Sequence, residues 1–240
     1  MSLTATPDGV LLVDKAGGMT SHDVVALVRR QLQIKKVGHC GTLDPIATGL
    51  LILTLGRGTK IQDLIMSEDK EYVGTLSLGA TTDTQDRAGR IVEERPVPDL
   101  SEEEITAAFE KFCGDFYQMP PMVSAIKQGG VPLYKLARQG KTVVRDARLV
   151  HVYRYSIDRV ALPEIDFTVL CSKGFYVRTY AHDIGNELGC GAHLKELRRT
   201  RSGRFDLTRA VTVEEIKTAP PVDILGKILT LPEVSRMRGA

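Results

Sequence analysis

The chain is defined first by what it does not carry. Its four cysteines, Cys40, Cys113, Cys171 and Cys190, include no close-set pair such as C-x-x-C. That spacing favours neither a zinc site nor a disulfide framework and fits reduced thiols in a cytoplasmic protein. No apolar run approaches the length that spans a bilayer, and the N-terminus lacks the charged-then-apolar order of a signal peptide. The segment DKAGGMTS sets a lysine and two glycines before a helix, yet the phosphate-loop spacing GxxxxGK[ST] is absent. The acidic stretch TTDTQDRAG does not follow the calcium-loop pattern. The net charge of +2 says little about partners, so what matters is where the basic residues cluster.

What is present is an ordinary globular composition, 42% hydrophobic and 26% charged over 240 residues. That length suits one large domain, alone or with a small appendage. Val10–Val13 reads as a buried strand, and Ser21 as the N-cap of a helix with Val24, Val25, Val28 and Leu32 on one face. Tyr72–Leu78 alternates, as do Leu149–Ile157 and Ile165–Cys171, which read as neighbouring antiparallel strands. Ser101 with Glu104, and Thr212 with Glu215, form capping boxes before two further helices. Pro132 suits a helix start and Gly140 a stop. A strand is expected around Phe175–Val177, passing into a helix that closes at Gly189.

The most informative stretch is GHCGTLDPIATG, Gly38 to Gly49, read as a loop leading into the buried run Leu50–Leu55. Gly38 and Gly41 permit backbone shapes that other residues resist. Pro45 fixes its own φ and drives Asp44 towards an extended conformation. Asp44 is thus a carboxylate on a stiffened turn, with the His39 imidazole close in sequence. Asp-Pro also starts ordinary turns, and Asp44 can equally be bonding its own loop. A second informative block runs from Cys171 to Phe205. Within it Lys195, Arg198, Arg199, Arg201 and Arg204 place five basic residues in ten against one acid, Glu196. Such a run is either a solvated face or one that meets phosphate.

These stretches resemble the signatures of the bacterial tRNA pseudouridine synthase B family. The first matches GHxGxLDPxAxGxL at nearly every fixed position, with Cys40 where the family commonly has Thr. The second matches CSKGxYIRTLxxDLGxxLGxxAHLxxLRRTxxGxF nearly throughout. Asp14–Ser21 is similar to the family's DKPxGxTS, with Ala16 in place of Pro, and Gln118–Lys127 to QxPPxxSAxK. The resemblance runs from Val10 to about Phe205. It implies an α+β pseudouridine synthase fold: a mixed, mostly antiparallel central sheet with flanking helices and a catalytic cleft. It also implies a catalytic domain over 8–216, with an RNA-contacting insertion at about 118–145 carrying Lys135, Arg138 and Lys141. A short tail would follow at 217–240, the family's C-terminal RNA-binding domain being absent or truncated.

By the same resemblance Asp44 is the catalytic aspartate. Arg178 is the cation that keeps it ionised, and Tyr72 is the aromatic beneath the base. His39 contacts the flipped-out nucleotide, Tyr176 and Leu197 line the pocket, and Lys15 lies in the buttressing first motif. Asp83 is structural or RNA-facing. The implied reaction breaks the C1′–N1 bond of uridine, turns the uracil and joins C1′ to C5. It is redox-neutral, and no cofactor or metal is expected. The implied partner is the TΨC stem-loop of elongator tRNAs, modified at position 55 in tRNA numbering, with no membrane, no obligate protein partner and a monomeric enzyme. The alternative is a non-catalytic tRNA-binding or folding module, in which the basic block would matter and Asp44 would not.

Overall fold

Strand β1 (Gly9–Lys15) extends the apolar run Val10–Val13 by Gly9 before it and Asp14 and Lys15 after it, and everything from Val10 to Val13 is buried. The computed structural model describes residues 7–124, 126–137, 139–140 and 143–239. Ala125, Arg138 and Lys141 lie outside the described residues. The chain then forms α1 (Ser21–Leu32), β2 (Val37–Cys40), β3 (Thr48–Leu55), a 3-10 turn (Gly56–Ile61), α2 (Gln62–Met66) and β4 (Lys70–Leu78). Next come β5 (Ala80–Thr82), β6 (Ile91–Glu94), α3 (Glu102–Glu110), β7 (Gly114–Gln118), β8 (Lys127–Gln128), β9 (Val131–Pro132) and α4 (Leu133–Ala137). The long pair β10 (Arg148–Ala161) and β11 (Glu164–Cys171) leads to α5 (Val177–Glu187) and β12 (Ala192–Ser202). The chain closes with β13 (Phe205–Asp206), β14 (Val211–Thr212), α6 (Val213–Thr218), α7 (Pro221–Leu225), β15 (Leu229–Thr230) and α8 (Leu231–Arg238).

The architecture is α+β, with mostly antiparallel pairing. It divides into two units, one of the described residues up to Tyr72 with those from Arg198 onward, the other Val73–Leu197. In the first, β1 pairs antiparallel with β3 from Gly9↔Leu55 to Lys15↔Gly49, and β2 flanks β3. β14 joins β1 in parallel, and β12 meets β3 in parallel at Arg198↔Thr48 and Arg199↔Gly49. Val10, Leu12, Leu50, Ile52, Ile65 and Phe205 fill its core. In the second unit β10 pairs antiparallel with both β11 and β7. Its core is aromatic: Phe109 contacts Phe167 and Tyr180 edge-on, with ring centroids 5.9 and 5.8 Å apart.

Three expectations from sequence need correction. Thr20, not Ser21, caps α1: its hydroxyl accepts from the Asp23 N–H, while Asp23 returns a bond to the Thr20 N–H. Ser21 is the first helical residue, and it is buried. Phe175–Val177 is not a strand, since Val177 opens α5, although the helix does end at Gly189 with φ +82°. The stretch from 217 carries secondary structure of its own. α8 has its own capping box from Thr230 and Glu233, and β15 pairs with Gly9 and Val10 of β1. Finally, the basic block is largely occupied within the protein. Lys195 pairs with Glu164, Arg198 forks onto Asp14 at 3.0 and 2.7 Å, and Arg201 reaches Glu71 at 3.2 Å. Arg199 is buried, and Arg204 stays exposed.

Candidate active site

The first unit carries Lys15, His39, Asp44 and Tyr72; the second carries Tyr176, Arg178 and Leu197. Asp44 is half-buried just before the β3 strand, and its carbonyl accepts from the Ala47 N–H at 3.0 Å, which tightens the turn that Pro45 begins. Two contacts from the first motif hold this turn. The Gly18 N–H donates to the Pro45 carbonyl at 2.8 Å. The Ser21 hydroxyl donates to the Leu43 carbonyl at 3.2 Å and accepts from the Leu43 N–H at 2.9 Å. The residues on either side of Asp44 are therefore pinned to the loop and helix that follow β1.

Lys15, at the end of β1, is fully buried and donates to the Ala16 and Met19 carbonyls at 3.0 and 2.7 Å. Burial lowers its pKa to about 8, while the nearby Asp44 carboxylate acts in the opposite direction and favours the ammonium. Arg199, counted from sequence only as part of a basic run, is the brace of this half. Its Nε donates to the Leu50 carbonyl at 2.7 Å and its Nη2 to the Gly41 carbonyl at 3.1 Å, closing the two ends of the Asp44 loop. Gly49 makes that approach possible: with φ +94°, a Cβ there would lie 2.3 Å from the Arg199 carbonyl oxygen.

His39 sits on β2, its ring edge-on to His22 with centroids 5.3 Å apart. Burial chiefly, then the neighbouring His22 and Arg199, lowers its pKa to about 4, so the ring is neutral near pH 7. Both histidines line an open groove with Asp23, Arg29, Thr42 and Gln62. Tyr72 is buried on the inward side of β4, as the alternation predicts.

In the second unit Arg178 is buried in the first turn of α5. Its guanidinium donates to the Thr84 carbonyl at 2.8 Å and the Val123 carbonyl at 2.7 Å, and its Nε lies 3.8 Å from the Asp86 carboxylate. A planar fork with two carbonyl acceptors and a carboxylate is fixed in direction, not merely in charge. Asp86 belongs to the polar stretch in which only Asp83 stood out from sequence. Asp83 instead takes the Arg90 backbone and side chain at the exposed rim. Tyr176 is the N-cap residue of α5, and the buried Leu197 lies on β12. Among the described residues no cluster of His, Cys, Asp and Glu has metal-binding geometry.

Residues 29–177 match the model of the TruB family pseudouridylate synthase N-terminal domain, and residues 178–221 that of the tRNA pseudouridylate synthase B C-terminal domain. The chain belongs to the TruB family. It is 53% identical to the tRNA pseudouridine synthase B of Opitutus terrae over 92% of both chains. It is 48% identical to that of Geobacter sulfurreducens over 94% of this chain and 74% of the relative. Among solved structures this TruB-family chain is similar to a Cbf5-Nop10-Gar1 complex, with TM-score 0.75 and 28% identity over 95% of this chain and 62% of the other. It is also similar to an H/ACA RNP bound to a substrate RNA containing 2′-deoxyuridine, with TM-score 0.65 and 29% identity over 87% of this chain and 52% of the other. It thus spans between half and two thirds of those solved chains. The TruB-family fold accounts for the mixed sheet and flanking helices described above. No described helix is long and apolar enough to cross a membrane.

Proposed function

We propose that the protein isomerises uridine to pseudouridine at position 55 in the TΨC loop of tRNA, acting as a monomeric cytoplasmic enzyme without an obligate protein partner. The observation that carries this reading is the Asp44 turn. A half-buried carboxylate lies in the family's signature loop, locked on both sides by Ser21 and Gly18, braced by Arg199 and set near the Lys15 ammonium. Such a carboxylate can attack as a nucleophile or offset positive charge developing on the sugar as the C1′–N1 bond breaks. The uracil then turns, C5 bonds to C1′, the C5 proton leaves to a base, and N1 ends protonated. No electrons are gained or lost overall.

The roles follow the family pattern residue by residue. Asp44 acts on the glycosidic link, Arg178 is its cationic counterpart, and Tyr72 lies beneath the base and accepts the C5 proton. His39, kept neutral, braces the space the extruded base leaves. Tyr176 and Leu197 line the pocket, and Lys15 supports the Asp44 turn. The target atom is out of reach while the base is stacked. Extrusion costs a few kcal/mol, which a single-stranded loop reduces. The catalytic part is read as 8–216, with 118–145 touching RNA.

The test is incubation of the protein with a TΨC stem-loop, scoring pseudouridine by its chemical adduct. The wild type should convert the target uridine with no added cofactor. Asp44→Asn should give no product while binding the stem-loop within about tenfold of wild type, roughly 1.4 kcal/mol. Normal turnover by Asp44→Asn would refute the assignment.

A further inference from the structure

Gln118 is the last residue of β7 and is almost completely buried, with 2% of its surface exposed. Its side-chain amide is spent on one residue. The amide nitrogen donates to the Tyr176 carbonyl at 3.1 Å, and the amide oxygen accepts from the Tyr176 N–H at 2.8 Å. Both backbone groups of Tyr176 are thereby held by a single planar group, which fixes the direction of the chain as it enters α5. Tyr176 stands at the N-cap, where serine, threonine or aspartate commonly supplies a capping oxygen and tyrosine does not.

Five residues further along, the same segment returns to α5. The Val123 carbonyl accepts from the Arg178 guanidinium at 2.7 Å. The stretch 118–123 is therefore tied to the start of α5 at both ends, by a side-chain amide at one and by a main-chain carbonyl at the other. A buried amide serving a backbone pair costs ordering entropy and desolvation that an aliphatic residue on β7 would not incur. The sheet does not require it, because the backbone of Gln118 already pairs with Arg148 of β10.

We propose that Gln118 is a positioning residue for pseudouridine formation, setting Tyr176 and, through the first turn of α5, the Arg178 guanidinium. This rests on the proposed function above. The amide does not touch the reacting nucleotide; it sets the angle at which the two side chains are presented.

Two variants test it on the TΨC stem-loop under single-turnover conditions. Gln118→Met keeps length and apolar volume but removes both bonds. Its rate should fall at least about tenfold, while stem-loop affinity changes less than about threefold. Gln118→Glu keeps the acceptor at all pH values and regains a donor only when its carboxyl is protonated. Its rate relative to wild type should therefore rise as pH falls from 8 to 5.5. A merely structural role would not produce that pH-dependent recovery. A Gln118→Met rate within twofold of wild type would overturn the proposal, as would a loss lying wholly in affinity. If Gln118→Met does not fold, a flat pH ratio for Gln118→Glu overturns it. Wild-type protein that forms no pseudouridine sinks the function and this inference together, whereas active wild type with fully active variants sinks this inference alone.

Discussion

The hydroxyl of Ser21 holds both backbone groups of Leu43, donating to its carbonyl and accepting from its N–H, so a helix-start side chain fixes the residue that precedes Asp44. Leu43 is itself buried, and removing the hydroxyl leaves its N–H without this partner in a dry environment. Ser21→Ala should cost about 1–3 kcal/mol of stability. It should also slow pseudouridine formation about tenfold, equivalent to about 1.4 kcal/mol in the barrier. Urea unfolding and single-turnover kinetics check the two parts. An unchanged rate in a destabilised protein would limit Ser21 to structure.

Arg178→Lys should lose activity on the order of a hundredfold, in the range of a lost transition-state donor. One ammonium cannot reproduce a fork that serves Thr84, Val123 and Asp86 from three directions. Circular dichroism should show the fold retained. A near-wild-type rate would remove Arg178 from the mechanism.

His39 should titrate near pH 4, followed through its ring proton by NMR. Because its folded pKa lies below the unfolded value of 6.5, its contribution to stability is fully present above pH 6.5. That contribution is lost as pH falls through about 4. His39→Gln should flatten that part of the stability profile. His22→Gln should raise the His39 pKa, since His22 is one of the groups that lower it. A His39 pKa near 6.5 in the wild type would contradict the buried, neutral ring.

Gly49→Ala should destabilise by on the order of 2–4 kcal/mol, the range of backbone strain combined with overpacking. The obstacle is a backbone oxygen on β12, which cannot swing aside as a flexible side chain would. A melting temperature within a degree of wild type would show that β3 and β12 part easily.

The strand pattern was legible because alternation reports burial directly: Tyr72, Gly74, Leu76 and Leu78 face inward along β4 as read. The capping boxes at Ser101 and Thr212 were equally plain, since a polar residue followed three positions later by Glu satisfies two helix-end donors at once. The Asp44 loop announced itself through Pro45 and its glycines. What stayed hidden depends on distant partners. Nothing local to Arg199 says that it will be buried against Leu50 and Gly41, and five basic residues in ten look the same whether they face phosphate or carboxylates. Ser21 and Thr20 are both good caps, and only the pull of Leu43 decides which one is taken inward. Gln118 reads as a polar residue before a proline pair, with no sequence trace of its bond to Tyr176.

The pairing of Leu229 and Thr230 with Val10 and Gly9 has a practical meaning for anyone editing this protein. The strand that delivers Lys15 is shielded on that flank by residues more than two hundred positions later in the sequence, and α8 is latched to Glu68 by Arg238 at 2.7 Å. Trimming those residues as dispensable would strip a hydrogen-bonding neighbour from the strand leading to the first motif. An inserted tag or reporter therefore belongs away from β15 and α8, with both left whole.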